Sequence, residues 1–93
     1  MSEQAEIDTV RNGLVRELYD VSAEYQATVQ RLRVSGVSED VITPGFYIPA
    51  MRAYIETMVA LHAKPEPTDV QMRIACIGIA TLALRYARKL RTQ

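Results

Sequence analysis

Three carboxylates are spaced so that a helix would bring them to one side. Glu17, Asp20 and Glu24 stand at positions i, i+3 and i+7. Grouped carboxylates can bind a metal ion or act as an acid–base pair. His62, the single histidine, lies near the end of another predicted helix and would be a poor further ligand. We therefore expect an ion-paired or solvated flank, with no metal and no cofactor.

The single cysteine, Cys76, excludes a disulfide within the chain. It lies among apolar residues, and no activating base is visible beside it. We expect it to be buried on the core face of its helix and unreactive. The first ten residues are acidic and polar, unlike a secretory signal, which predicts a cytoplasmic location.

The C-terminal part of the chain combines an apolar stretch with a basic end. Residues 74–84 contain no charge, and the next seven include Arg85, Arg88, Lys89 and Arg91. The stretch is about half the length of a membrane span, so we expect an interior helix and no membrane partner. The formal net charge is zero. We therefore expect the cations to complement the helix end, without strong binding to nucleic acid.

Helical periodicity recurs in three segments, and no segment alternates with period two. It predicts helices over residues 3–34, 49–64 and 68–91, with a connection over 35–48. Their boundaries follow from Ser2 as a cap, a stop at Gly36, Pro49 in a first turn and a Thr68-to-Gln71 capping box. Residues 1–93 should form one all-α domain, a long–short–long helical bundle.

Two apolar surfaces bear on assembly. The first helix has a stripe that repeats over more than three heptads, and the second helix is too short to cover it. The third helix has a core face and, opposite it, a second stripe; the core face is Met72, Ala75, Cys76, Ile79, Leu82, Ala83, Tyr86 and Leu90, and the stripe is Ile74, Ile77, Thr81 and Leu84. We expect this stripe to be the interface of a homodimer that completes the bundle.

Charge asymmetry adds an electrostatic element to this interface. Residues 1–30 contain six acids and two bases, whereas residues 64–93 contain six bases and two acids. Arg85, Arg88 or Lys89 should dock on Glu17, Asp20 and Glu24, within one chain or between two, with a modest and salt-sensitive benefit.

Three short stretches provide a loose resemblance to the all-helical chorismate mutases. They are "EIDTVR" near the start, "FYIPAMR" entering the second helix and "LALRYARKL" near the end. The resemblance implies an intertwined dimer that binds an anionic metabolite through several cations. Arg31 or Arg33 could supply the later cation of helix one, and Arg52 lies one position beyond the expected arginine of helix two. The middle of helix one, "ELYDVSAEY", has acids where the family has an arginine.

The sequence thus favours a small, homodimeric, non-enzymatic protein–protein interaction or regulatory module. The alternative is a small helical enzyme of the chorismate mutase kind. Converging arginines in a concave pocket would indicate the enzyme, and an exposed apolar strip would indicate the interaction module. A DNA-binding regulator ranks third, because neither connection resembles the short turn of a helix-turn-helix.

Overall fold

The computed structural model describes residues 2–92 and contains three α-helices. They are α1 (Glu3–Val34), α2 (Tyr47–His62) and α3 (Asp69–Arg91), with 3-10 turns at Glu39–Val41 and Pro44–Phe46. No strand occurs within this described part, so the prediction of an all-α chain with long, short and long helices is confirmed. Met1 and Gln93, the two ends of the predicted domain, lie outside the described residues.

Local signals at both ends of α1 act as the sequence predicts. The Ser2 hydroxyl accepts a hydrogen bond from the backbone N–H of Ala5 at 3.2 Å. Gly36 adopts a φ of 76°, a conformation that glycine reaches without strain. The backbone N–H of Val37 then donates to the carbonyl of Leu32 at 2.9 Å, which completes a Schellman stop.

The ends of α2 and α3 differ from the prediction. α2 begins at Tyr47, two residues early, which Pro49 tolerates because the first-turn N–H groups have no intrahelical partner. Thr68 does occupy the N-cap position of α3, but its side chain makes no capping hydrogen bond. Its ψ of 21° departs from the extended cap conformation, and its hydroxyl lies 3.5 Å from the carbonyl of Leu61 instead. The predicted capping box is therefore wrong.

α3 forms the centre of the fold, because α1 and α2 each pack on it and make little contact with each other. Its buried face differs from the predicted one. Ala75 and Leu82 are buried as expected, but Cys76 is exposed, and so are Ala83 and Leu90. The buried face instead includes Gly78, Thr81 and Arg85. A helical wheel of apolar residues does not predict this face, because the face includes a glycine packed against another helix and an arginine paired with a carboxylate.

The chain exposes more surface than a folded monomer of its size. Its accessible area is 7118 Å², about 1,700 Å² above the roughly 5,400 Å² typical of a compact protein of this mass. Its radius of gyration of 16.1 Å exceeds the roughly 12 Å expected for its length. The first half of α1 contributes to this excess, because it extends beyond the part that packs on α3.

Among residues 2–92, α3 is the one helix with the length and composition that crossing a membrane requires. Core helices of soluble proteins meet the same criterion. Within α3, the side chains of Arg73 and Arg85 form ion pairs with carboxylates outside the helix. This arrangement is typical of a helix packed against protein.

Candidate interaction surface

The acidic flank of α1 binds a cation that the sequence analysis did not select. Arg73 Nη2 donates to Glu17 Oε2 at 2.8 Å and to Asp20 Oδ2 at 2.5 Å. The hydrogen bonds to Asp20 and Glu17 and the charge of Glu17 raise the pKa of Arg73. Arg73 immediately precedes the apolar stretch. It was not predicted as a docking residue because only the cations of the basic end were considered. Within the chain, this contact joins α1 to the first turns of α3.

Glu24, the third predicted docking carboxylate, pairs within its own helix. Its Oε1 accepts a hydrogen bond from Arg31 Nη2 at 2.7 Å. Arg31 Nη2 also donates to the hydroxyl of Thr28 at 2.9 Å. Within one chain, none of Glu17, Asp20 and Glu24 pairs with the predicted partners Arg85, Arg88 and Lys89.

Arg85 instead forms a buried cluster with the connection between α1 and α2. Its Nε donates to Glu39 Oε1 at 2.8 Å, and its Nη2 donates to Glu39 Oε2 at 3.1 Å. The hydroxyl of the fully buried Tyr47 donates to the same Oε1 at 3.0 Å. Tyr47 also stacks on Tyr86, with ring centres 5.1 Å apart. These contacts fasten the start of α2 and the connection to α3.

Electrostatics explain why this cluster is stable as a charged unit. Burial alone would raise the pKa of Glu39, but hydrogen bonds from Arg85 and Tyr47 and the charges of Arg85 and Lys89 outweigh it and lower this pKa. Burial and donation to the Glu39 carboxylate raise the pKa of Tyr47 to about 12. Glu39 is therefore ionised and Tyr47 neutral at neutral pH.

Two further cations of the basic end, Lys89 and Arg88, also make hydrogen bonds within the chain. Lys89 Nζ donates to the backbone carbonyls of Glu39 at 2.7 Å and Asp40 at 3.4 Å. Arg88 Nη1 donates to the hydroxyl of Tyr25 at 3.3 Å, and its guanidinium lies 5.6 Å from the centre of the Tyr25 ring. These cations hold the C-terminal turns of α3 against α1 and the connection.

The predicted interface stripe of α3 divides between two surfaces. Ile74 is exposed, Ile77 is half-buried and Thr81 is buried; all three lie between α1 and α2. Leu84 lies on the other side of α1, in a groove that it shares with Leu18. The four residues therefore do not form one exposed strip, and their role in assembly stays a prediction.

A slot separates α1 from α2 along most of α3. Gly78, Ile77 and Thr81 of α3 form its floor, and Tyr54 of α2 stands at its side. Tyr54 packs so close to Gly78 that a Cβ atom there would lie 2.5 Å from the tyrosine ring. The α1 wall is polar, and its residues are Asp20, Ala23, Glu24, Thr28 and Arg31.

An uncovered apolar stripe runs along residues 3–18 of α1, which we call the arm. Its stripe consists of Ile7, Val10, Leu14 and Leu18, all of them exposed. The same helix face becomes buried where it reaches α3, so Val21 is 6% exposed whereas Leu14 is 56% exposed. The apolar stripe is therefore continuous in sequence, but only its second half is covered.

Gly13 lies in the middle of the arm. A glycine inside a helix costs about 1 kcal/mol relative to alanine. Apart from its chain neighbours and the backbone of its own helix, no described residue lies within 4 Å of the place where its Cβ would be. No contact within the chain therefore requires a glycine at this position.

The cations that the enzyme alternative needs do not converge. Arg31 pairs with Glu24 at the slot, whereas Arg33 lines a different groove, beside the connection. Arg52 is exposed on α2. Arg85, the buried arginine nearest the slot, is already paired with Glu39.

Comparison with protein-family models found no match to this chain. Comparisons with curated proteins and with solved structures found no match either.

Proposed function

We propose that this chain is a non-enzymatic protein–protein interaction module that works as a homodimer. The carrying observation is the arm of α1, whose apolar stripe stays exposed among residues 2–92. Uncovered stripes of this kind usually mark an interface. A helix face that is buried in its second half and exposed in its first half is expected where a partner covers the exposed half.

The excess surface is of the size that a stable homodimer buries. Each chain exposes about 1,700 Å² more than a compact monomer of its mass, from a total of 7118 Å². Stable interfaces remove roughly 800 Å² or more per partner, and obligate homodimers often remove more than 1,000 Å². One interface between two copies would account for most of this excess.

The pairing of the arginines favours the interaction module over the alternative enzyme. An enzyme acting on an anionic metabolite needs unpaired cations that converge in a concave pocket. Arg31 and Arg85 border the slot, but carboxylates of the same chain already engage both of them. Arg88 and Lys89 of the basic end make hydrogen bonds within the chain, and the formal net charge is zero, which does not favour binding to the phosphates of nucleic acid.

Sedimentation equilibrium and light scattering at micromolar concentration test this proposal. The unmodified chain should have twice the chain mass. Leu14→Glu should dissociate it, because the new carboxylate would have to be buried in the interface. Asn12→Glu introduces the same charge on the opposite side of the arm and should leave the dimer intact. A folded monomer at these concentrations, or consumption of chorismate by the purified protein, would overturn the proposal.

A further inference from the structure

The slot between α1 and α2 has the shape of a missing helix position. α3 has α1 on one side and α2 on the other, and the two flanking helices make little contact with each other. The slot floor is largely apolar and includes Ile74, Ile77 and Gly78. Ile74 remains 64% exposed there. Tyr54 already covers Gly78, and a fourth helix in the slot would bury Ile74 and Ile77.

We propose that the slot of each chain receives the arm of a second copy, so that the two α1 helices lie antiparallel. This inference rests on the proposed homodimer and adds where the partner binds. The apolar stripe of the arm continues the face that packs on α3 through Val21. In the dimer, one face of α1 packs on its own α3 along the second half and on the partner's α3 along the first half. Each chain gives one arm and receives one, which closes the assembly by two-fold symmetry.

Gly13 fits this arrangement. Asp20, Glu24 and Arg31 follow Gly13 by nearly whole numbers of helical turns, so all four residues lie on the same flank of α1. Asp20, Glu24 and Arg31 line the slot. In the antiparallel register that brings small residues together, Gly13 lies opposite Ala23 of the partner subunit. The same register places Thr9 opposite Ala27 of the partner subunit. Small residues at both points allow the two helix backbones to approach closely, which explains a glycine that the single chain does not need.

The charges on the same flank are complementary in this register. Arg16 of one arm lies opposite Asp20 of the partner subunit, and Glu6 lies opposite the partner's Arg31. Within each chain, Asp20 already pairs with Arg73 and Arg31 with Glu24, so the arm adds one charge to each of these ion pairs. Both residues of the arm are exposed in the single chain. Symmetry repeats each pair, so four opposite-charge pairs border the four close contacts.

Site-directed cross-linking tests the placement directly. Cys76 is first replaced by serine, because its exposed thiol would otherwise react. In that background, Thr9→Cys with Ala27→Cys should form a covalent dimer under mild oxidation, seen on a non-reducing gel. Arg11→Cys with Ala27→Cys is the matched control, since Arg11 lies on the opposite side of the arm, and it should remain largely uncross-linked. Each single-cysteine variant should also remain monomeric on the gel.

The outcomes separate this inference from the proposed function. A dimer by light scattering with no Thr9–Ala27 cross-link, or with cross-linking only through Arg11, would overturn the arm-in-slot arrangement and leave the homodimer standing. A monomer by light scattering would overturn both.

A second variant tests the close contact independently. Gly13→Leu should raise the dimer dissociation constant by roughly tenfold or more, because the larger side chain separates the backbones. Asn12→Leu should change the constant little. Helix content by circular dichroism should be unchanged or higher in both variants, which distinguishes a lost contact from failure to fold. An unchanged dissociation constant for Gly13→Leu would contradict the proposed contact.

Discussion

Arg85 and Glu39 form a two-pronged ion pair between the middle of α3 and the connection that follows α1. The guanidinium Nε and Nη2 donate to the two carboxylate oxygens at 2.8 and 3.1 Å. The Arg85 side chain is 6% exposed and that of Glu39 is 28% exposed, so water screens the pair weakly. Tyr47 and Lys89 complete the hydrogen bonds around Glu39. One carboxylate thus joins α3, the start of α2 and the connection.

We predict that Glu39→Gln lowers the free energy of unfolding by about 2–4 kcal/mol. The change leaves a buried guanidinium without its counter-charge, and partial exposure of Glu39 reduces the loss relative to a fully buried pair. Urea denaturation measures it. Asp40→Asn is the control, because it removes a neighbouring exposed carboxylate and should change stability by less than about 0.5 kcal/mol.

The stability of the unmodified chain should also depend on the ionisation of Glu39. Because its folded pKa lies below the ordinary 4.5, the unfolded chain binds the proton at higher pH. The contribution of this residue is therefore complete above about pH 5 and disappears as the pH falls through the folded pKa. As the pH falls, the free energy of unfolding should decrease less steeply for Glu39→Gln than for the unmodified chain. Equal slopes for the two proteins would contradict the assigned ion pair.

Tyr47 should ionise only at unusually high pH. Its pKa is raised to about 12, and it is one of five tyrosines in the chain. Its neutral form stabilises the fold below the unfolded pKa of about 10, and this contribution is lost as the pH rises towards 12. Tyrosinate absorbance should therefore show one residue ionising late or only on unfolding. Tyr47→Phe should remove that late step, and a late step that persists would contradict the assignment.

Cys76 should react rapidly with a thiol reagent in the native protein. The sequence places it on the core face of α3, but the structure exposes it on the side away from α1 and α2. Its labelling rate in native buffer should approach the rate in denaturant. The arm-in-slot dimer leaves this side of α3 open, so the prediction holds for monomer and dimer. Labelling slowed by orders of magnitude would show that another surface covers α3.

Thr68→Ala should change stability by less than about 0.5 kcal/mol. A side-chain cap would contribute about 0.5–2 kcal/mol, but the Thr68 hydroxyl makes no such bond in α3. Ser2→Ala is the informative comparison, since the Ser2 hydroxyl does accept from Ala5. Thermal melts of the two variants check this difference. A loss above about 1 kcal/mol for Thr68→Ala would restore the predicted capping box.

Local chemistry made the helices predictable, whereas the orientation of α3 depended on long-range contacts. Ser2 and Gly36 bound α1 as expected because each acts within one turn of its own position. The buried face of α3 was mispredicted because Arg85 is neutralised by Glu39, a residue 46 positions away. Gly78 is buried because Tyr54 of another helix covers it. Hydropathy contains no information about either contact.

The candidate interface was predictable in part for the same reason. The stripe of α1 lacks a cover over the arm, as the sequence predicted, but α3 and not α2 is the helix that packs on its second half. The docking of Glu17 and Asp20 on Arg73 could not be read from charge runs, because Arg73 stands alone in sequence and reaches α1 only through the packing of α3. To predict which charges pair between two helices, one must know how the helices cross.

Ile77→Glu should dissociate the homodimer. Ile77 is half-buried on the floor of the slot, next to Ile74 and Gly78. In the single chain, a glutamate there can extend towards the open slot and remain hydrated. In the dimer, the partner's arm would cover it and remove its water, which is costly for an unpaired carboxylate.

The measurement is the mass by sedimentation or light scattering at micromolar concentration, with circular dichroism to confirm that the variant is folded. Arg91→Ala, near the end of α3, is the control and should leave the mass unchanged. The predicted stripe of α3 lies partly in the slot and partly in the groove that Leu84 shares with Leu18. Leu84→Glu tests that groove, because Leu84 lies outside the slot. Dissociation by Ile77→Glu with retention of the dimer in Leu84→Glu would place the interface in the slot. The reverse result would move it to the Leu18–Leu84 groove and exclude docking of the arm between α1 and α2.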